Sequence, residues 1–296
     1  MMAVVAQGVS ARIKEAVMRR CFVVLCLLGF VTHANAQDFD VPTLRGSSPF
    51  IPAAPKYARW SGFYVGGQIG RSSTEMDFKE ATEGLMAQML RQLAVENQHH
   101  VSQWGVLGTA NPSGISYGGF FGYNTQWDDV IVGIDFHYNR ASGFFANAPS
   151  DPISRAVATA NGVVYNLTAE GAASMRITDY GSARVRGGWV VGNFLPYATL
   201  GVAVGRANIF RSARVSGTET LPCTQPCVPV VTPFEFSASE TKNAHFIYGW
   251  SAGVGVDIIV MPSFFVRAEF EYIGFTEAQG VKADMGTARV GAGVKF

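Results

Sequence analysis

Eight stretches of this chain alternate between two kinds of residue, a period that suits a β-strand with two different faces and no helix. In "WSGFYVGGQIG", Phe63, Val65, Gly67 and Ile69 alternate with Tyr64, Gly66, Gln68 and Gly70. "ISYGGFFGYNTQW" sets Tyr117, Phe121, Tyr123 and Trp127 against Ser116, Gly118, Gly122, Asn124 and Gln126, and "VIVGIDFHYNR" sets Val130, Val132, Ile134, Phe136 and Tyr138 against Gly133, Asp135, His137 and Asn139. "YGSARVRGGWVV", "PYATLGVAVGR", "FIYGWSAGVGVDI" and "FVRAEFEYIGF" repeat the pattern. The last stretch, "DMGTARVGAGVKF", ends with Ala288, Val290, Ala292, Val294 and Phe296 on one face and Arg289 and Lys295 on the other.

Each stretch is close to the ~9–11 residues that carry a tilted strand across a bilayer, and their number is even. The connections add a second regularity. Those around 128–129, 192–196 and 260–263 are short, whereas 73–114, 142–175 and 208–244 are long, followed by a shorter 276–285. Strict alternation of short and long connections is the habit of an outer-membrane barrel, with short periplasmic turns and long external loops. Composition agrees. Of 296 residues only 15% are charged, 12% are aromatic and 33 are glycines, against about 25% charge in a typical soluble domain. The net charge of +1 lacks the basic excess of a nucleic-acid binder. No apolar run reaches the ~18 residues of a membrane helix. The expected fold class is all-β: an eight-stranded antiparallel transmembrane β-barrel, its first strand paired to its last so that the seam closes at Phe296.

"MRRCFVVLCLLGFVTHANAQ" has the basic start, short apolar core and Ala34-Asn35-Ala36 site of a secretory signal peptide. Residues before Met18 read as an upstream extension. The expected organisation is a signal peptide over 1–36, a proline-rich periplasmic linker over 37–59 and a barrel over 60–296. Of the four cysteines, Cys21 and Cys26 leave with the signal. Cys223 and Cys227 in "PCTQPC" read as a small disulfide loop in an exported chain. A metal site there would need more ligands, and only His245 is near.

The more apolar face carries aromatic residues near strand ends, as interface girdles do. The other face collects the strand charges: Asp135, Arg184, Arg186, Asp257, Arg267, Glu269, Glu271 and Arg289. Counting from the turns puts Asp135 level with Arg186 and Glu269 level with Arg289. Eight strands leave room only for side chains, so these residues are expected to form a salt-bridged lumen network, with a narrow gated pore as the rival reading. Neither Glu269 with Glu271 nor His137 with Asp135 and a serine requires a catalytic reading, since inward ion pairing explains both. No catalytic residue, metal or cofactor is expected. In the first long connection, Leu85, Met86, Met89, Leu90 and Leu93 at helical spacing predict an amphipathic helix over the barrel mouth, and the adjacent His99 and His100 make a poor metal pair.

The stretches from Trp60 and Tyr117, the "RVRGGW" of the fourth strand, the final "VGAGVKF" and the "LRGS" at Leu44 resemble the small alphaproteobacterial outer-membrane barrels, the porin-family surface antigens related to the OmpA transmembrane domain. The likeness covers Leu44 to Phe296 as an architecture, with motifs confined to the strands. It implies location in a Gram-negative outer membrane and a C-terminal signal, carried by Phe296, for the barrel-assembly machinery. The expected role is structural and surface-related: envelope integrity, contact with outer-membrane lipid and lipopolysaccharide, and loop-mediated contact with a host or environmental ligand. The alternatives are a small-solute porin and, behind it, a lipid-modifying barrel enzyme.

Overall fold

The computed structural model describes residues 59–222 and 228–296. The expected signal peptide, the linker up to residue 58 and the Cys223–Cys227 pair lie outside the described residues. In chain order the elements are β1 (Gly62–Asp77), α1 (Glu83–Leu90), α2 (Ala94–His99), a 3-10 turn (Val101–Gln103), β2 (Thr109–Ala110), β3 (Ser113–Trp127) and β4 (Val130–Ser142). Then come β5 (Phe145–Asn147), β6 (Ile153–Ala158), β7 (Val164–Trp189), β8 (Phe194–Leu221), β9 (Val230–Met261), β10 (Phe264–Phe275) and β11 (Lys282–Lys295).

Eight of these strands pair antiparallel in a closed ring, β1–β3–β4–β7–β8–β9–β10–β11 and back to β1. The seam runs from Tyr64 opposite Lys295 to Asp77 opposite Lys282, and the Phe296 amide donates to the Phe63 carbonyl at 2.9 Å. Lipid offers backbone groups no hydrogen bond, so only a ring without edges satisfies every spanning strand. The turns joining β3 to β4, β7 to β8 and β9 to β10 are short. Two of them use positive φ, at Asp128 (51°) and Gly192 (62°), positions that suit Asp and Gly.

Side chains sort as the alternation requires. Phe63, Val65, Ile69, Phe121, Leu200 and Val290 are exposed on the outer wall, whereas Gln68, Asp135, Arg184 and Glu269 are buried inside. The interior is filled in layers. Trp60, Tyr64, Phe120, Ile131, Leu195 and Phe265 form a compact apolar cluster near the short turns. A larger apolar core occupies the other end, built from Met86, Leu90, Met175, Ile177, Ile209 and Ile273 among others. The charged residues lie between.

The long connections differ from expectation. Much of 142–175 and 208–244 is sheet, because β7, β8 and β9 run on for 26, 28 and 32 residues. Outside the lipid the preference of the two faces inverts: Leu167, Met175, Ile209 and Val215 turn inward, and Thr168, Ser212, Arg214 and Ser237 turn to water. Bulges hide the continuity. Thr178 is an extra residue on β7 between Ile177 and Asp179, and β9 gains one beside Asn208, whose Oδ1 accepts the Ala244 amide at 2.8 Å. A bulge shifts the parity of every residue beyond it.

The expected single helix is two. α1 buries Leu85, Met86 and Leu90, and Met89 and Leu93 pack partly against the same core. Arg211 on β8 ties this cap together: it pairs with Glu240 on β9, and its Nη1 donates to the carbonyls of Ala81 and Gln279 at 3.2 Å each. Truncating Leu90→Ala, at a site with no exposure, is expected to cost about 2–4 kcal/mol, seen as a lowered unfolding midpoint of the refolded protein. The Arg211 bonds hold the Glu240 carboxyl below its usual range. A carboxyl depressed in the folded state stabilises above its unfolded value and loses that contribution as pH falls through the folded one. Hydrogen exchange at α1 is therefore expected to rise on acidification below the ordinary carboxylate range, and Glu240→Gln is expected to flatten that rise.

Candidate functional site

The layer between the two apolar clusters is assembled from five of the eight strands. β4 supplies Asp135 and His137, β7 supplies Ser182, Arg184 and Arg186, and β9 supplies Asp257. β10 supplies Arg267, Glu269 and Glu271, and β11 supplies Arg289. Each sits on the inward parity of its strand, and the eight charged members are all buried.

Arg184 is the hub. Its Nη1 donates to Glu269 Oε1 at 2.8 Å and Glu271 Oε1 at 3.1 Å, and its Nη2 lies 3.2 Å from Asp135 Oδ2 and 2.6 Å from His137 Nε2. Nearer the short turns, Arg186 donates to Asp257 Oδ2 at 2.5 Å. Arg267 grips the same carboxylate through Nε at 2.8 Å and Nη2 at 3.1 Å, and reaches Asp135 at 3.3 Å. Arg289 pairs with Glu271, and its Nε lies 3.6 Å from Glu269. Four arginines thus face four carboxylates, and the formal charges of these eight cancel. Aromatic faces complete the wall, with Arg186 3.7 Å from the Tyr197 ring centre and Arg267 4.2 Å from that of Phe120. Both arrangements are cation–π contacts.

The strand register brings the eight charged residues together, though not with the pairing that depth counting predicts. Asp135 stands opposite Arg184, while Gly133 is opposite Arg186, whose carboxylate is Asp257. Glu269 stands opposite Arg289, as counting predicts. Residues outside the predicted set also join. Tyr197 donates its hydroxyl to Glu269 Oε2 at 2.7 Å, Ser182 donates to Glu271 Oε1 at 3.0 Å, and Gln68 reaches His137 and Asn139. Parity was the only available signal for Tyr197, which shares the face of Thr199 and Gly201.

The chemistry open to this layer is narrow. Ser182 stands opposite His137 in the register but gives its proton to Glu271, so no serine–histidine couple forms there. Asp135, His137 and Glu269 each offer an atom within 4.8 Å of the others, as a metal site would. All three touch Arg184, so the chain itself supplies the cation they surround. Among the other candidates, His99 contacts the Ala158 carbonyl at 2.9 Å and His100 adopts φ 45° as the C-cap of α2. The two rings serve different local roles.

The family model for the outer membrane protein beta-barrel domain matches residues 22–296. The chain belongs to that family. Its place is accordingly the outer membrane of a Gram-negative cell. Among solved structures, this family member is similar to Ail of Yersinia pestis, crystallised in complex with the heparin analogue sucrose octasulfate: 15% identity over 79% of this chain and 99% of that one, TM-score 0.32. Neisserial surface protein A gives 16% over 80% and 98%, TM-score 0.32, and OprG from Pseudomonas aeruginosa 10% over 80% and 96%, TM-score 0.32. No curated protein matches this chain.

A buried ion pair that loses one member leaves an uncompensated charge, at a cost of about 3–5 kcal/mol. Arg186→Met is therefore expected to lower the denaturant midpoint of the folded barrel. Combining it with Asp257→Leu should recover little of that loss, because Arg267, which grips the same carboxylate, then keeps only Asp135 at 3.3 Å. A double-mutant cycle read by heat-modifiable gel mobility checks this.

Proposed function

We propose that this family member is a closed, non-catalytic barrel whose work is structural and surface-directed. It stabilises the envelope, contacts lipopolysaccharide in the outer leaflet and presents its long external sheet to the surroundings. The observation that carries this reading is the layered filling of the interior, in which a balanced layer of eight charged side chains lies between two apolar clusters. A diffusive porin would need a continuous polar path, and the outer core of Leu90, Met175 and Ile209 stands across it. A lipid-modifying enzyme would need a nucleophile with a base at the rim. The network meets another need: it anchors five strands to one another where no water solvates them.

The external sheet supports the surface part of the proposal. Its outward side offers short hydroxyl side chains, among them Thr168, Ser212, Ser216, Thr218 and Ser237. Such a face suits a polar ligand from a host or the environment.

Reconstitution in planar bilayers separates the readings. The expected outcome is no stepwise conductance from the intact protein, together with detergent and chelator sensitivity in cells from which it is deleted. Steady single-channel steps that shrink in Arg186→Ala or Arg267→Ala would establish the porin instead.

A further inference from the structure

The outer wall carries a second cluster of charge that the lumen network does not explain. Along β4 the outward face is apolar from Val130 through Val132, Ile134 and Phe136 to Tyr138, all exposed, and the next outward residue is Arg140. Tilted, that run is comparable to the ~25 Å apolar band of an outer-membrane barrel, so Arg140 stands at the outer lipid–water boundary. The register extends the row: Arg140 lies opposite Asp179 on β7, Asp179 opposite Arg206 on β8, and Arg206 opposite Phe246 on β9. The row immediately beneath it runs Tyr138, Gly181, Val204 and Tyr248. Its two tyrosines suit a headgroup-level girdle.

Beyond the Thr178 bulge, Arg176 follows, with its guanidinium 5.1 Å from the Phe145 ring centre. Arg140 and Arg206 therefore flank the Asp179 carboxylate, and Arg176 stands on the next outward position of β7 beyond it. Arg206 donates to that carboxylate through Nε at 3.1 Å and Nη2 at 2.8 Å, and the Thr178 hydroxyl adds a bond at 2.9 Å. Arg140 and Arg176 have no ion pair among the described residues, so the cluster keeps two uncompensated positive charges facing the outer leaflet. Below it, the outward face of β7 narrows to Gly181 and Ala183, flanked by Tyr138 and Phe136 on β4 and by Val204 and Val202 on β8. That leaves a shallow furrow running into the apolar band.

We propose that Arg140, Arg176 and Arg206 form a binding site for the phosphate groups of an outer-leaflet glycolipid, whose acyl chain lies in the β7 furrow. This assignment rests on the outer-leaflet contact proposed above and gives it an address. Guanidinium groups suit phosphate because their planar forks bond two oxygens at once. Asp179 has a positioning role: it fixes the Arg206 side chain along the sheet. Arg71 on β1 is a natural control. It is exposed, outward-facing and without an ion pair among the described residues, but its register neighbours are Ile115 and Ala288.

Native mass spectrometry of the refolded full chain in detergent tests the site, with bisphosphorylated lipid A, the same lipid dephosphorylated, and inorganic phosphate as probes. Heat-modifiable mobility verifies that each variant is folded. The wild type is expected to retain bisphosphorylated lipid A. The double variant R140A/R176A is expected to bind it about thirtyfold more weakly, the loss for two arginines at a charged membrane surface. R71A should match the wild type, and dephosphorylated lipid should not distinguish the variants. Equal binding of bisphosphorylated lipid by wild type and R140A/R176A would overturn this site while leaving outer-leaflet contact intact. A wild type that binds both lipids equally would overturn the phosphate site, and one that retains neither lipid would overturn both. Displacement of lipid A by millimolar inorganic phosphate would make the cluster a free-anion site and overturn the lipid assignment.

Discussion

Everything in this barrel follows from the backbone's need for hydrogen bonds where there is no water. A spanning strand left with one open edge would strand its N–H and C=O groups in hydrocarbon, at several kcal/mol each. Pairing β11 back onto β1 removes both edges at once. With eight strands the resulting cylinder is narrow, and that narrowness dictates the interior. Inward side chains meet one another rather than a column of water. Charged residues there must find partners across the lumen, and they do, with four arginines against four carboxylates.

The same solvent argument explains the architecture outside the membrane. β7, β8 and β9 do not stop at the outer boundary. They continue into water, and their apolar residues move from the outside of the cylinder to its inside. The inward face then needs a core, which α1, α2 and the 3-10 turn help to fill. Arg211 links that cap to the sheet by a charge pair and two carbonyl bonds. The outer mouth is thus closed by ordinary protein packing, and the middle of the barrel by electrostatics.

The two closures bear differently on function. An ionic layer alone is compatible with a gate, because ion pairs exchange partners at low cost when several alternatives lie within reach. The apolar core above it is costly to open, because that would expose Leu90, Met86 and Ile209 together. On the outer wall the distribution of arginines is uneven: Arg140, Arg176 and Arg206 lie over β4, β7 and β8, while Arg71 lies apart on β1.

Alternation by itself determined the strand count within the membrane, the side on which each residue lies and the eight charged residues that face inward, because a two-residue period leaves a side chain no third direction. It also marked α1, through Leu85, Met86 and Leu90. Tertiary structure decided the rest. Which arginine meets which carboxylate depends on register and on side-chain reach across the lumen, so Asp135 sits with Arg184 and Arg267 while Arg186 takes Asp257. Tyr197 and Ser182 enter the network for the same reason. The external sheet was illegible because the solvent changes at the membrane boundary, so the apolar face inverts just where bulges at Thr178 and beside Asn208 break the count. A period can be read along a chain, but what lies opposite each residue is settled only when the strands close into a ring.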